Sequence, residues 1–332
     1  MIKGIPTAVL VAPDKFKGTL TAREVADALG RGLAKGGRET WLMPVADGGD
    51  GTRDALSEPL GLERIGARAT DPLGRTVDAE FGLGDGVAVV EVAAASGYSR
   101  VSDQERDAIA ASSFGTGELI AAAVNAGAQT IYVAAGGSAT TDGGTGAVRA
   151  IELAGGLQGA TLTVLCDARI TFTQAAPVFG PQKGADPKQV EHLLGRLDSQ
   201  AYEYAKTYSR DPRGVPLSGA AGGLAGGLWA ACDAELQPGA PFVLGALGFD
   251  AKMRAAYAVV TGEGRLDRQS LVGKAAGEVA TRARQAGVPC HAVVGQNRLD
   301  PFDQRILDLQ LILEAGTIEQ LELAGEQLNE LL

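Results

Sequence analysis

The chain has 332 residues, enough for two domains on a prior of about 100–200 residues each. Thirty basic against forty acidic residues give a net charge of −10 with no basic stripe, which argues against nucleic acid or an anionic membrane as partner. Apolar residues make up 45% and aromatic ones only 5%, while 47 glycines, about twice the average usage of roughly 7%, cluster between apolar runs as in structured loops.

The apolar run 8–11 reads as a buried strand, broken at once by the loop 12–20, and Thr21 with Glu24 forms a capping box that opens a helix to about residue 35. Strand 40–45, loop 46–52 and a helix ending near Pro59 repeat this plan, so a parallel sheet is expected. Over 64–92 the pattern alternates around a hairpin turn at Asp85-Gly86, which predicts antiparallel sheet and a different domain. A helix over 115–126 and a strand over 131–134 lead to the loop 136–146, whose five glycines surround Ser138, Thr140, Thr141 and Asp142. A strand entering such a loop before a helix is suited to anions, because loop amides and the helix N-terminus both point donors outward.

A helix over 146–154 and a strand over 161–165, ending in Cys166-Asp167, come next. The polar turn 179–184 precedes Asp186-Pro187, the cap-then-proline order of a long helix. The glycine-rich run 219–227 is expected to let a helix pack backbone-close to a sheet. A third unit follows, with strand 258–261, loop 262–270 and helix 273–286, then strand 290–294, a helix opened by Asp300-Pro301, and strand 309–313. A Glu-rich helix from Thr317 closes the chain, with Leu321, Leu328 and Leu331 as packing contacts or, if the helix supports one, a homodimer contact; monomer and homodimer both stay open. The whole predicts an α/β fold in which a doubly wound domain built from both termini (1–66 and 244–332) carries an inserted mixed-sheet α/β domain (67–243), with the active site in the cleft between them. Cys166, Cys232 and Cys290 read as reduced core residues, and His192 and His291 stand too isolated for a His-based metal site. Without a secretory segment or an 18-residue apolar run, a cytoplasmic protein is expected.

The P-loop and dinucleotide fingerprints and the nucleophile elbow are all missing, which disfavours an NAD-dependent oxidoreductase or an acyl transferase. What remains is a set of strand-terminal loops bearing Asp14 and Lys17; Asp47 and Asp50; Ser138 and Asp142; Asp167; Lys183; Glu263, Arg265 and Asp267; and Lys274. Phosphoryl transfer needs this mixture: a carboxylate to hold a metal, cations and amides to offset phosphate charge, and a base for the hydroxyl proton.

Taken together, residues 12–18, 44–52, 115–120, 136–144, 179–184, 219–223 and 261–267 resemble, in that order, the motifs of the bacterial class I glycerate kinases. The resemblance implies ATP-dependent, magnesium-assisted phosphorylation of D-glycerate, usually to the 2-phosphate, on a flavodoxin-like domain carrying an inserted one. On residue chemistry, Arg265 and Lys17 would hold the substrate carboxylate, with Asp14, Asp47, Glu263 and Asp267 around the substrate. Asp142 or Asp167 would hold the metal or take the proton, Lys183 or Lys274 would offset phosphate charge, and the loop at Gly136, Gly137, Ser138 and Thr140 would cradle it. The chain departs from the family at Thr141, where Asn is common, at 167–172, and between 153 and 161, where some thirty residues are missing. A kinase of a related hydroxy acid and a non-catalytic sensor of sugar acids or nucleotides are the alternatives.

Overall fold

The computed structural model describes residues 7–332. Contacts divide the described residues into two compact units, one of residues 7–47 with 240–332 and one of residues 48–239. The divisions at 47/48 and 239/240 stand beside the expected 66/67 and 243/244, and the whole of the strand Glu63–Thr70 pairs within the second unit.

The first unit opens with β1 (Val9–Pro13), α1 (Ala22–Lys35) and β2 (Thr40–Leu42). The capping box at Thr21 and Glu24 is present, with the Glu24 N–H donating to the Thr21 hydroxyl at 3.2 Å. The second unit then runs through α2 (Thr52–Ser57), β3 (Glu63–Thr70), β4 (Thr76–Gly84), β5 (Val87–Glu91), α3 (Val92–Ser96), α4 (Phe114–Asn125) and β6 (Thr130–Ala134). It continues with α5 (Thr145–Leu153), β7 (Thr161–Cys166), α6 (Ala175–Phe179), α7 (Pro187–Tyr208), α8 (Leu224–Ala231) and β8 (Glu235–Pro238). The chain returns to the first unit through α9 (Gly239–Ala246), α10 (Phe249–Ala255), β9 (Ala258–Glu263), α11 (Ala275–Ala286), β10 (Cys290–Val294), α12 (Pro301–Leu307), β11 (Leu309–Glu314) and α13 (Ile318–Leu331).

In the first unit the strand order is β11-β10-β9-β1-β2, with every pair parallel. Numbered within the unit this is 2-1-3-4-5, the flavodoxin-like order, and its topological switch point falls between β1 and β9. β1, β9 and β10 are buried along their whole lengths, as continuous apolar runs between two helical layers should be. Val9, Val11 and Val260 pack with Val25 and Leu29 of α1 and Leu321 and Leu328 of α13. Alternate residues Leu10, Ala12 and Val259 pack with Phe249 of α10 and Val279 of α11. Leu331 is 55% exposed and takes no part in that packing. Cys166 and Cys290 are buried and Cys232 half-buried, all three as free thiols.

The second unit holds one six-stranded sheet in chain order, β3 to β8. β3, β4 and β5 are antiparallel through the expected hairpin, with Asp85 and Gly86 both at positive φ, while β5 to β8 run parallel. The alternating segment is therefore the antiparallel edge of the second unit's mixed sheet, because β5 is shared by both pairings, and it lies in a different unit from β1 and β2. α4 packs on α5 and α5 on α8, and only the turn 154–160 lies between α5 and β7. β8, α9 and α10 escape the sequence reading because the stretch 228–257 carries no clean period. Among the described residues no helix is long and apolar enough to cross a membrane.

Candidate active site

In the first unit three strand ends bring carboxylates to the switch point, where ligands of open α/β sheets bind. Asp14 follows β1, and its N–H donates to the Gly262 carbonyl of β9 at 2.8 Å. Glu263 ends β9. Asp47 lies past β2 on a segment that still runs beside β1, because Met43 and Val45 donate to the carbonyls of Val11 and Pro13 at 2.8 and 2.9 Å. Asp14 is only 7% exposed, and burial first, then the neighbouring Asp47 carboxylate, pushes its carboxyl up to about 8 against the pull of Lys15. Burial also raises Glu263, opposed mainly by Lys274, whose Nζ lies 3.4 Å from Oε2. Lys274 reaches Asp267 at 3.8 Å, and Arg265 pairs with Asp267 at 3.2 Å while staying exposed. Lys17 is exposed on the loop after β1. The cluster offers hydroxyl-binding carboxylates, one of them protonated near neutrality, beside a guanidinium fork that matches a substrate carboxylate.

In the second unit the loop after β6 is held from three directions. Lys183, 7% exposed, donates to the Ser138 hydroxyl at 2.9 Å and the Thr140 carbonyl at 2.5 Å. α7 lays a polar column on the loop: Arg196 donates to the Thr141 carbonyl, and Tyr204, two turns on, donates to the Gly143 carbonyl at 2.9 Å. The glycine run 219–227 packs on this same loop as well as lining α8. Gly143 donates to the Gly222 carbonyl at 3.1 Å, and a Cβ at Gly222 would stand 1.9 Å from the Thr140 carbonyl oxygen.

Asp142 is the pin of that assembly. Its Oδ2 accepts from the Ser113 N–H at 2.8 Å, the Ser113 hydroxyl at 2.9 Å and the Gly146 N–H at 3.3 Å, and Oδ1 accepts from the Gly144 N–H at 3.2 Å. It thus caps the first turn of α5 and ties it to the segment before α4. With its oxygens so occupied and only 6% of the residue exposed, Asp142 does not fit a metal ligand or a proton acceptor, and its place in the structure is that of a loop anchor. Thr140 and Thr141 are fully buried, and among the described residues their hydroxyls find no hydrogen-bond partner. Asp167, after β7, is half-buried, with Oδ2 3.0 Å from where a Cβ on Gly136 would stand, so its carboxylate flanks the start of the loop.

Among the described residues no three His, Cys, Asp or Glu side chains gather closely enough to hold a metal ion between them. Magnesium in phosphoryl transfer is usually held by one or two carboxylates plus the phosphates themselves, and Asp167 fits that lesser demand. Ser113, Arg196 and Tyr204 are missing from the sequence reading. The one legible signal was the spacing of Arg196, Gln200 and Tyr204 at i, i+4 and i+8, a polar column beside the buried stripe of Leu193, Leu197 and Ala201.

The model of the glycerate kinase family matches residues 9–155 and 151–320. The chain is 36% identical to the glycerate kinase of Halalkalibacterium halodurans, covering 86% of this chain and 85% of that protein. It is 37% identical to the glycerate 2-kinase of Escherichia coli strain K12, covering 86% and 84%. Its fold matches, at a TM-score of 0.80 and 31% identity over 98% of both chains, the crystal structure of a Salmonella typhimurium LT2 protein provisionally assigned as glycerate kinase 2.

Proposed function

Because the chain belongs to the glycerate kinase family, and is a kinase, we propose that it transfers the γ-phosphoryl group of ATP to the 2-hydroxyl of D-glycerate. Similarity to a glycerate 2-kinase over 86% of the chain carries the choice of product. The two loop sets supply complementary halves of the chemistry, and we propose that they serve one reaction.

In the first unit, Arg265 and Lys17 would pair with the glycerate carboxylate, the carboxylates of Asp47, Glu263 and Asp267 would accept hydrogen bonds from its hydroxyls, and the protonated carboxyl of Asp14 would donate one. In the second, the amides of Gly136, Gly137 and Ser138 would hold phosphate oxygens, with Lys183 fixing the loop that presents them. Lys274 would offset negative charge as it moves toward the acceptor oxygen. Asp167 would hold the magnesium that accompanies ATP, an ion that draws charge from the bridging oxygens. Glycerate, ATP and no macromolecular partner suffice for this reaction, and we place it in the cytoplasm, where ATP is available.

Incubating the purified protein with ATP, magnesium and a panel of small hydroxy acids tests the reading. ADP release with D-glycerate above all others is expected. Release with a different hydroxy acid would replace the substrate, and nucleotide binding without turnover on any would make the protein a sensor.

A further inference from the structure

The second unit contains a groove of about 720 Å³ that none of the loop chemistry above uses. That volume lies in the range of roughly 300–1,000 Å³ that drug-sized ligands occupy, well above what a three-carbon acid fills. Its lining includes small residues, Gly66 and Ala67 of β3, Ala79 of β4, and Ala93 and Ala94 at the start of α3; Gly66 shares with Arg68 the face of β3 turned away from the core that Ala67 packs against. The bare backbone at Gly66, where a Cβ would meet nothing within 4 Å, lets a flat ring approach closely, as a larger side chain would not.

Its polar lining is balanced: three arginines, Arg53, Arg68 and Arg100, stand with four carboxylates. A free polyanion gains little in such a setting, whereas a neutral group rich in donors and acceptors finds partners of both kinds. One of the carboxylates, Glu91, is itself 6% exposed at the carboxyl end of β5, with Oε1 held by the Arg53 N–H at 3.0 Å. Such a buried carboxylate on a groove wall is suited to accept from an exocyclic amine or a sugar hydroxyl.

The groove also adjoins the glycine loop. A Cβ on Gly137 would stand 3.3 Å from Ala93 Cβ and 3.8 Å from Asp50 Cβ, two residues of the groove lining, and Tyr98, just before the lining residues Ser99 and Arg100, donates its N–H to the Gly137 carbonyl at 2.8 Å. A ligand lying in the groove therefore has one end at the loop. We propose that this groove takes the nucleoside of the phosphate donor, with the base over Gly66 and the phosphates running to Gly136–Ser138. The proposal deepens the kinase reading and rests on its assignment of that loop to phosphate.

Two variants test it on the full chain. Gly66→Trp fills the groove from β3, where a Cβ would meet nothing within 4 Å, and binding of ADP by calorimetry is expected to weaken at least about tenfold, with the KM for glycerate within about twofold of the wild type. Ser99→Cys places a thiol on the exposed rim; ADP should slow its alkylation at least about fivefold relative to the wild-type background, and glycerate should not. ADP that binds the Trp variant unchanged, or fails to protect Cys at 99, would overturn the groove assignment even while wild-type turnover upholds the kinase. Loss of glycerate affinity in place of ADP affinity would give the groove to the acceptor and overturn it as well. Conversely, protection by ADP in a protein that turns over no hydroxy acid would sustain the groove and sink the kinase reading. Should Gly66→Trp fail to fold, the alkylation result decides alone.

Discussion

Asp142 shows how far residue type alone can carry a role. As a carboxylate in a glycine loop it suits a base or a metal ligand, but four donors already fill its oxygens. Asp142→Asn cannot satisfy the same donors, because its amide nitrogen accepts nothing. We expect kcat to fall by at least about 10²-fold through a displaced loop, measured on a variant whose thermal melt shows it folded; an unchanged kcat would detach this anchor from catalysis. Asp14 makes the opposite prediction for stability. Its folded-state carboxyl, raised to about 8, is protonated where the unfolded chain has already ionised, so stability falls as pH rises from about 4 through 8. Asp14→Asn should therefore raise Tm at pH 8–9, leave it nearly unchanged at pH 4, and lower activity; an equal shift at both would refute the linkage. His291 carries the acid side. It is 4% exposed in β10, with both ring nitrogens unpartnered, and burial holds its pKa below the ordinary value. The unfolded chain takes up the proton first, so stability present above about pH 6.5 is lost as pH falls below it, and His291→Phe should flatten that part of a Tm profile between pH 8 and 5.

At the scale of elements, the loop 136–146 is shaped by its neighbours more than by its own sequence. Gly222 approaches Thr140 so closely, at φ +70°, that Gly222→Ala must both strain its backbone and push the loop aside. We expect a loss of about 1–3 kcal/mol and a matching fall in Tm, with reduced turnover. Gly245→Ala in α9, where a Cβ meets nothing within 4 Å, is the control and should leave both intact. This contact also explains what was legible beforehand. Strands β1, β6, β9 and β10, the Thr21 and Asp186 caps and the Asp85-Gly86 turn follow from local period and capping chemistry, and all are present. The partners of the loop, Ser113, Arg196, Tyr204 and Gly222, lie 29, 55, 61 and 79 positions from the loop residues they bond, and no local period encodes which loop a helix face will meet.

At the scale of the molecule, two sheets of different logic carry the two sets of groups. The first has a switch point between β1 and β9 that gathers Asp14, Asp47 and Glu263; the second, in chain order, has none and relies on the glycine loop instead. The strand order was legible only as far as the alternation of strands and helices; that β5 joins an antiparallel edge to a parallel sheet depends on pairing no local pattern reports. The central claim is transfer from ATP to the 2-hydroxyl of D-glycerate, and coupling the reaction to enolase with phosphoglycerate mutase left out tests it most directly. The account predicts enolase signal in that mixture, dependent on both ATP and D-glycerate. Signal that appears only once mutase is added would place the phosphate on the 3-position and contradict it.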